Sequence, residues 1–171
     1  MLLFGLLLTL IGCAGNEITP PSTSPGLLEM EKAIYFAEGM EIQLPEAFRQ
    51  VDDTGYTVCY EADTAAIFAL REPFTMAEGV ENLTLMEYAD MVCVANSSKS
   101  PSAVMEEEGL LLMEYTYFAE SENAEYKYLT TMFKASDAFW MVQFTCRTEN
   151  YETYRPHFIK WAKSVMFAPA A

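Results

Sequence analysis

The chain has 171 residues, about half of them hydrophobic, which is enough for one domain with a core of ordinary size. Its 25 acidic and 10 basic side chains give a formal charge of -15, and no stretch concentrates the basic ones. Because phosphate recognition needs a cationic surface, this composition excludes nucleic acid as a partner and predicts repulsion from anionic lipid. We interpret the acidity as a solvated surface rather than a cation-collecting one.

Residues 1–12 have the form of a signal peptide, because residues 2–11 are an uncharged apolar run too short to span a bilayer as a mature helix. Leu10-Ile11-Gly12-Cys13 then resembles the lipobox of bacterial lipoproteins, although residues 1–4 lack the Lys or Arg usual before such a run. The resemblance implies cleavage before Cys13 and a diacylglycerol on its sulfur. It places the protein in the bacterial cell envelope, facing outward from the cytoplasmic membrane or in the periplasm.

Residues 13–26 predict a flexible tether, since a tract rich in Pro, Ser and Thr builds neither a helix nor a core. Its reach is about 20 Å as a coil and about 40 Å when stretched. The folded domain, residues 27–171, can therefore stand clear of the lipid headgroups.

The first half of this domain predicts two hairpins and a helix. Strands are expected at 33–36 and 40–44, a single helical turn at 46–50, and strands at 56–61 and 65–71. Thr84 and Glu87 have the spacing of a capping box, and apolar residues follow at helical intervals to about Ala95. Asn96 is expected to end this helix in the left-handed conformation, and 104–107 to form a short strand.

The second half predicts a three-stranded antiparallel meander over residues 114–147, with turns at 120–123 and 136–137. In its last strand one side is apolar throughout, and the other is apolar at Phe139 and Met141 but polar at Gln143 and Thr145. We expect cover on both sides, hence an α/β/α arrangement. Helical spacing from Tyr151 to Val165 predicts a closing helix, in which Pro156 requires either a kink or a later start.

Several segments together resemble the PsbP-type α/β/α sandwich. They are GMEIQLPEAF at 39–48, LMEYADMV at 85–92, and the stretch from FWMVQFTC at 139–146 to the closing helix and SVMF. The family includes the extrinsic photosystem II subunit and DcrB-like bacterial lipoproteins. The resemblance implies an α+β fold in which helices flank an antiparallel β-sheet meander, and a binding or assembly role without catalysis.

The alternative function is an envelope hydrolase that uses His157, the only histidine, with acidic neighbours. Its position between Tyr154, Phe158 and Trp161 places it toward the flank of the closing helix. The sequence contains no GxSxG nucleophile motif, and we therefore predict no catalytic residue. A third alternative is a purely structural role in the envelope.

No metal site or cofactor is expected. Cys59, Cys93 and Cys146 are widely spaced within apolar elements, without a CxxC motif, and they fit buried small hydrophobes better than ligands or a disulfide. The carboxylates of Asp52-Asp53 and of Glu106, Glu107 and Glu108 lack calcium-loop spacing and are expected in a solvated loop or at an edge.

The best candidate binding patch consists of Tyr115, Tyr117, Tyr126 and Tyr128, which neighbouring strands of the meander bring together. The negative charge predicts that a protein partner would present a basic surface. The competing interpretation is that the four rings pack beneath a helix.

Cys13→Ala should release the protein from the membrane or leave it unprocessed, because the acyl chain has lost its attachment atom. Metabolic labelling with a palmitate analogue checks this. An unlabelled wild-type protein would contradict the prediction.

Overall fold

The structure is a computed structural model that describes residues 26–53 and 55–168. Cys13, the predicted signal peptide and all of the predicted tether except Gly26 lie outside the described residues. Within the described part, ten strands and two α-helices follow one another. They are β1 (Lys32–Ala37), β2 (Met40–Pro45), β3 (Arg49–Val51), β4 (Val58–Ala62), β5 (Ala65–Pro73), α1 (Leu85–Ala95), β6 (Met105–Glu107), β7 (Leu110–Ala119), β8 (Ala124–Lys134), β9 (Ala138–Arg147), α2 (Tyr151–Ala162) and β10 (Met166–Phe167).

Seven strands form the main sheet in the order β3-β4-β5-β9-β8-β7-β6, and every neighbouring pair is antiparallel. The predicted meander is confirmed as β7, β8 and β9, and both predicted hairpins are present. A second, three-stranded sheet has the order β1-β2-β10. The two-residue turns Glu38-Gly39 and Glu108-Gly109 have positive φ at both residues, which is the hairpin turn that favours glycine at its second position.

The main sheet carries a different apolar layer on each side. On one side Trp140, Val142 and Phe144 of β9 pack with α2 and with the inner face of β2. On the other side Phe139 packs with α1, whose Tyr88 ring stacks on it at 4.2 Å between centroids. The predicted α+β fold, with helices flanking the antiparallel sheet, is confirmed.

Helix α1 begins at the predicted capping box. The Thr84 hydroxyl accepts from the Glu87 backbone N–H at 3.2 Å, and the Glu87 carboxylate accepts from the Thr84 N–H at 2.8 Å. The predicted left-handed Asn96 is wrong, because its φ is -96°. Its side-chain amide donates to the Val92 carbonyl instead, and the left-handed residue is Ser100, after one further 3-10 turn.

The helical turn expected at 46–50 is wrong, and so is the later start of the closing helix, which was one of the two alternatives for Pro156. The segment expected as a helical turn at 46–50 makes a tight turn and then enters β3, because Arg49 to Val51 pair with β4 at the edge of the sheet. Helix α2 begins at Tyr151 rather than near Pro156. Pro156 is tolerated inside the helix since both it and Glu152, whose carbonyl loses its partner, are exposed to water.

An ion-pair network attaches α2 to the edge of the main sheet. Arg155 donates two bonds to the Glu107 carboxylate, at 2.6 and 2.9 Å, and one to Glu114 at 2.8 Å. These carboxylates raise the pKa of Arg155, and the guanidinium lowers the pKa of Glu107. Lys127 joins the network through Glu114, whose carboxylate lies 3.3 Å from the Lys127 ammonium. Glu107 therefore lies at an edge of the sheet, as expected, and forms an ion pair there.

No helix among residues 26–53 and 55–168 combines the length and the hydropathy that crossing a bilayer requires.

Trp161→Ala should lower the free energy of unfolding by about 3 to 5 kcal/mol, because the side chain is buried against the rings of Phe48 and Phe158. Urea denaturation measures this loss. Phe36→Ala is the matched control, since that ring is 64% exposed and its removal should change stability by about 0.5 kcal/mol at most. Equal losses in the two variants would contradict the packing described here.

Candidate functional site

Helix α1 covers only part of its side of the main sheet. Its contacts reach Met113, Met132 and Phe139, which lie toward one end of β7, β8 and β9. Toward the other end the same side of the sheet carries the four predicted tyrosines. Tyr115 lies directly opposite Tyr128, and Tyr117 opposite Tyr126, so the strand register itself places all four on one side.

The four rings differ in exposure. Tyr117 is 50% exposed and Tyr115 only 5%, while Tyr126 and Tyr128 are half-buried. The rings of Tyr115 and Tyr128 stack in parallel with centroids 4.7 Å apart. We call this surface, with Tyr56 and Phe68 from the neighbouring strand region, the open face. Exposure on the open face therefore increases from the buried Tyr115 through Tyr128 and Tyr126 to the exposed Tyr117.

Gln143 of β9 forms hydrogen bonds with two tyrosines of the open face, Tyr115 and Tyr56. Its side-chain amide donates to the Tyr115 hydroxyl at 2.9 Å and to Thr130 at 3.4 Å, and its carbonyl oxygen accepts from the Tyr56 hydroxyl at 3.2 Å. Gln143 is 1% exposed, so these bonds satisfy a polar group that would otherwise be costly to bury. The Tyr115 and Tyr56 side chains are therefore fixed in orientation.

Lys99 reaches the open face from the turn after α1. Its ammonium lies 5.0 Å from the centroid of the Tyr115 ring. This is cation–π distance, so the Tyr115 ring already has a positive charge of the chain itself beside it.

The hydroxyls of Tyr56, Tyr115, Tyr126 and Tyr128 stay protonated at neutral pH, because the pKa of each is raised. Burial raises the pKa of Tyr115, Tyr128 and Tyr56. At Tyr126 the Glu122 carboxylate, which accepts its hydrogen bond, raises the pKa, and Arg147 opposes this change. These groups serve as neutral hydrogen-bonding groups rather than as bases or nucleophiles.

Two openings indent the open face. The larger, of about 710 Å³, is lined by rings of Phe68, Tyr117, Tyr126 and Tyr128 and by the β7–β8 turn with Glu120 and Glu122. The smaller, of about 300 Å³, lies between Tyr56, Lys99 and three of the tyrosines. Aromatic walls with a few polar groups suit the recognition of a ligand or a protein side chain.

His157 lies on α2, on the other side of the main sheet, and its interactions do not favour the hydrolase alternative. Burial, Lys160 and Lys32 all lower its pKa, and its ring neighbours Trp161. Within residues 26–53 and 55–168, no carboxylate or hydroxyl is bonded to it. A general base needs an orienting partner and a nucleophile within reach, and this site has neither.

The three cysteines in the described part are free thiols. Cys59 and Cys146 are buried, and burial raises the pKa of Cys59 to about 11 and that of Cys146 to about 12. Cys59 faces the same side of the sheet as Gln143, whereas Cys146 belongs to the core beneath α2. Across the described residues, no group of three or more His, Cys, Asp or Glu is arranged to hold a metal ion.

Sequence reasoning identified the tyrosines but missed the residues that surround them. Phe68 and Tyr56 come from a different hairpin, and Lys99 from a loop, so only the folded structure brings them to the site. In the sequence, Gln143 interrupts the apolar pattern on one side of β9. In the structure, α1 packs on the apolar residues before this position, Phe139 and Met141. Whether a partner binds the four tyrosines stays a prediction.

The fold is shared with proteins of known structure. No protein-family model matches the sequence, and no curated protein matches it. The structure is similar to cyanobacterial PsbP (CyanoP) from Synechocystis sp. PCC 6803, with a TM-score of 0.55 at 11% identity, over 88% of this chain and 100% of that one. It is also similar to a protein from Bacteroides thetaiotaomicron, with a TM-score of 0.51 at 8% identity, over 81% of this chain and 48% of that one. This chain therefore spans about half the length of the Bacteroides protein.

A further structure, LpqN of Mycobacterium tuberculosis, described as involved in cell envelope biogenesis, has a TM-score of 0.45 at 8% identity, over 81% of this chain and 91% of that one. That score is too low to carry an argument. The similarity to PsbP confirms the PsbP-like fold, and at such identities it shows the fold alone.

Gln143→Leu should lower the free energy of unfolding by about 1 to 3 kcal/mol, because the buried Tyr115 hydroxyl loses its partner. Chemical denaturation measures the loss. Gln43→Leu makes the same change at an exposed position of β2 and should be nearly neutral. Equal effects of the two substitutions would show that Gln143 does not organise the tyrosines.

Proposed function

We propose that this protein is a lipid-anchored protein of the bacterial cell envelope that acts as a non-catalytic binding or assembly module. The lipobox at Leu10 to Cys13 supports the anchoring. The single observation that carries the binding role is that α1 leaves part of the main sheet uncovered, with rigid aromatic rings on it.

The partner docks on the open face. Tyrosine gains contact area at low entropic cost, and it is enriched among the residues that dominate binding energy. At the open face the stack on Tyr128 and the bonds from Gln143 orient Tyr115 in advance, which reduces the ordering that binding requires.

The partner surface is basic. The formal charge of -15 attracts cationic surfaces over distances of about 10 Å at moderate ionic strength. Association should therefore slow as salt rises, whereas dissociation should change less.

A photo-crosslinking amino acid at position 117 tests the site in cells. We expect a defined crosslinked protein from this position and none from position 36, which is also exposed but lies on the small sheet. The crosslinked protein is then identified by mass spectrometry, purified and titrated in vitro. The same crosslinked protein from both positions would contradict docking at the open face.

Tyr117→Ala combined with Tyr128→Ala should weaken binding of that purified partner by about tenfold or more, as expected when hot-spot residues are lost. Ile34→Ala combined with Phe36→Ala is the matched control, because it removes two exposed apolar side chains from the small sheet and should leave affinity unchanged. A folded tyrosine double variant with wild-type affinity would remove the open face from consideration.

A further inference from the structure

The larger opening of the open face has two kinds of wall. One consists of aromatic rings, from Phe68, Tyr117, Tyr126 and Tyr128. The other is the β7–β8 turn, which contributes the carboxylates of Glu120 and Glu122, both exposed. An aromatic wall beside a carboxylate wall is a mixed environment that neither an apolar nor an anionic group would satisfy.

A positive, planar group satisfies both walls. The faces of aromatic rings attract cations, and arginine in particular stacks its flat guanidinium on them. The same group donates paired hydrogen bonds to a carboxylate, which the ammonium of lysine cannot reproduce. At about 710 Å³ the opening also has room for the backbone on either side of such a residue.

Among the described residues, two cations lie at or beside this surface. Lys99 lies over the Tyr115 ring, one row of the sheet away from Tyr117. Arg147 of β9 lies directly opposite Tyr126 of β8. It lowers the pKa of the Tyr126 hydroxyl, whereas Glu122 raises it. Arg147 is exposed and is therefore the competitor, within the chain, for a guanidinium that enters from outside.

We propose that the opening between the aromatic rings and the β7–β8 turn binds an arginine side chain of a basic protein segment. The guanidinium stacks on the tyrosine rings and bonds to Glu122, whose carboxylate the Tyr126 hydroxyl holds in place. This inference rests on the proposed function, since it names the group by which the partner of the open face is recognised.

The test uses purified protein and three short synthetic peptides of one sequence, which carry arginine, lysine or the neutral isostere citrulline at the central position. Binding is followed by calorimetry and by chemical-shift changes of the tyrosine rings. We expect the arginine peptide to bind about tenfold more tightly than the citrulline peptide, as for the loss of one charge-assisted bond, and more tightly than the lysine peptide. Equal binding of the arginine and citrulline peptides, or of the arginine and lysine peptides, overturns the proposal.

Three charge variants locate the site. Glu122→Gln keeps an acceptor for the Tyr126 hydroxyl and should weaken binding of the arginine peptide several-fold. Glu125→Gln makes the same change three residues away, on the opposite side of β8, and should leave it unchanged. Arg147→Gln removes the competing guanidinium and should strengthen binding of the arginine peptide. Equal effects of Glu122→Gln and Glu125→Gln would show attraction to net charge alone and overturn the proposal.

This result is separable from the proposed function. If the arginine peptide does not bind, but position 117 still gives the crosslink and the tyrosine double variant still binds the purified partner more weakly, the open face binds a partner through other chemistry. If the crosslink is absent, the binding module itself is wrong, whatever the peptides show.

Discussion

Strand β9 imposes the constraint on which the rest of the structure depends. Every second residue from Trp140 to Cys146 points to one side of the sheet and needs an apolar layer there. Phe139 and Met141 point to the opposite side and need a second apolar layer. One side is met by α2 together with the small sheet. On the opposite side the requirement ends after two residues, where Gln143 replaces an apolar side chain. Helix α1, with eleven residues, is long enough to cover this shorter apolar stretch.

The open face follows from this difference between the two layers. Beyond Met141 the sheet needs no hydrophobic cover, but it still carries large rings that must be kept in place. The hydrogen bond from Gln143 and the stack on Tyr128 hold the Tyr115 ring in place. A surface of this kind keeps its shape without a partner, in contrast to a mobile loop that would have to become ordered on contact. The same bonds that stabilise the domain therefore prepare it for recognition.

Much of the fold could be predicted because local signals agree with tertiary packing. The capping box at Thr84, the hairpin turns and the β-forming composition of the three runs of the meander are each encoded within a few residues. Strand β3 has only three residues, and the sequence around it predicts a helical turn instead. Strand β10 could not be predicted, because two residues carry no periodicity and their partner β2 is distant in the sequence. For the same reason the tyrosines of the site were predictable from two adjacent strands, whereas Phe68, Tyr56 and Lys99 were not.

The placement of the thiols gives this molecule internal reporters of its own opening. Cys59 and Cys146 are sealed on opposite sides of one sheet, and their raised pKa values keep them inert to alkylating reagents while the fold is closed. Loss of the α2 layer would expose the Cys146 thiol, while loosening around Tyr56 would expose that of Cys59. The order in which the two native thiols become alkylated would therefore reveal which layer of the domain separates first, without any engineered cysteine.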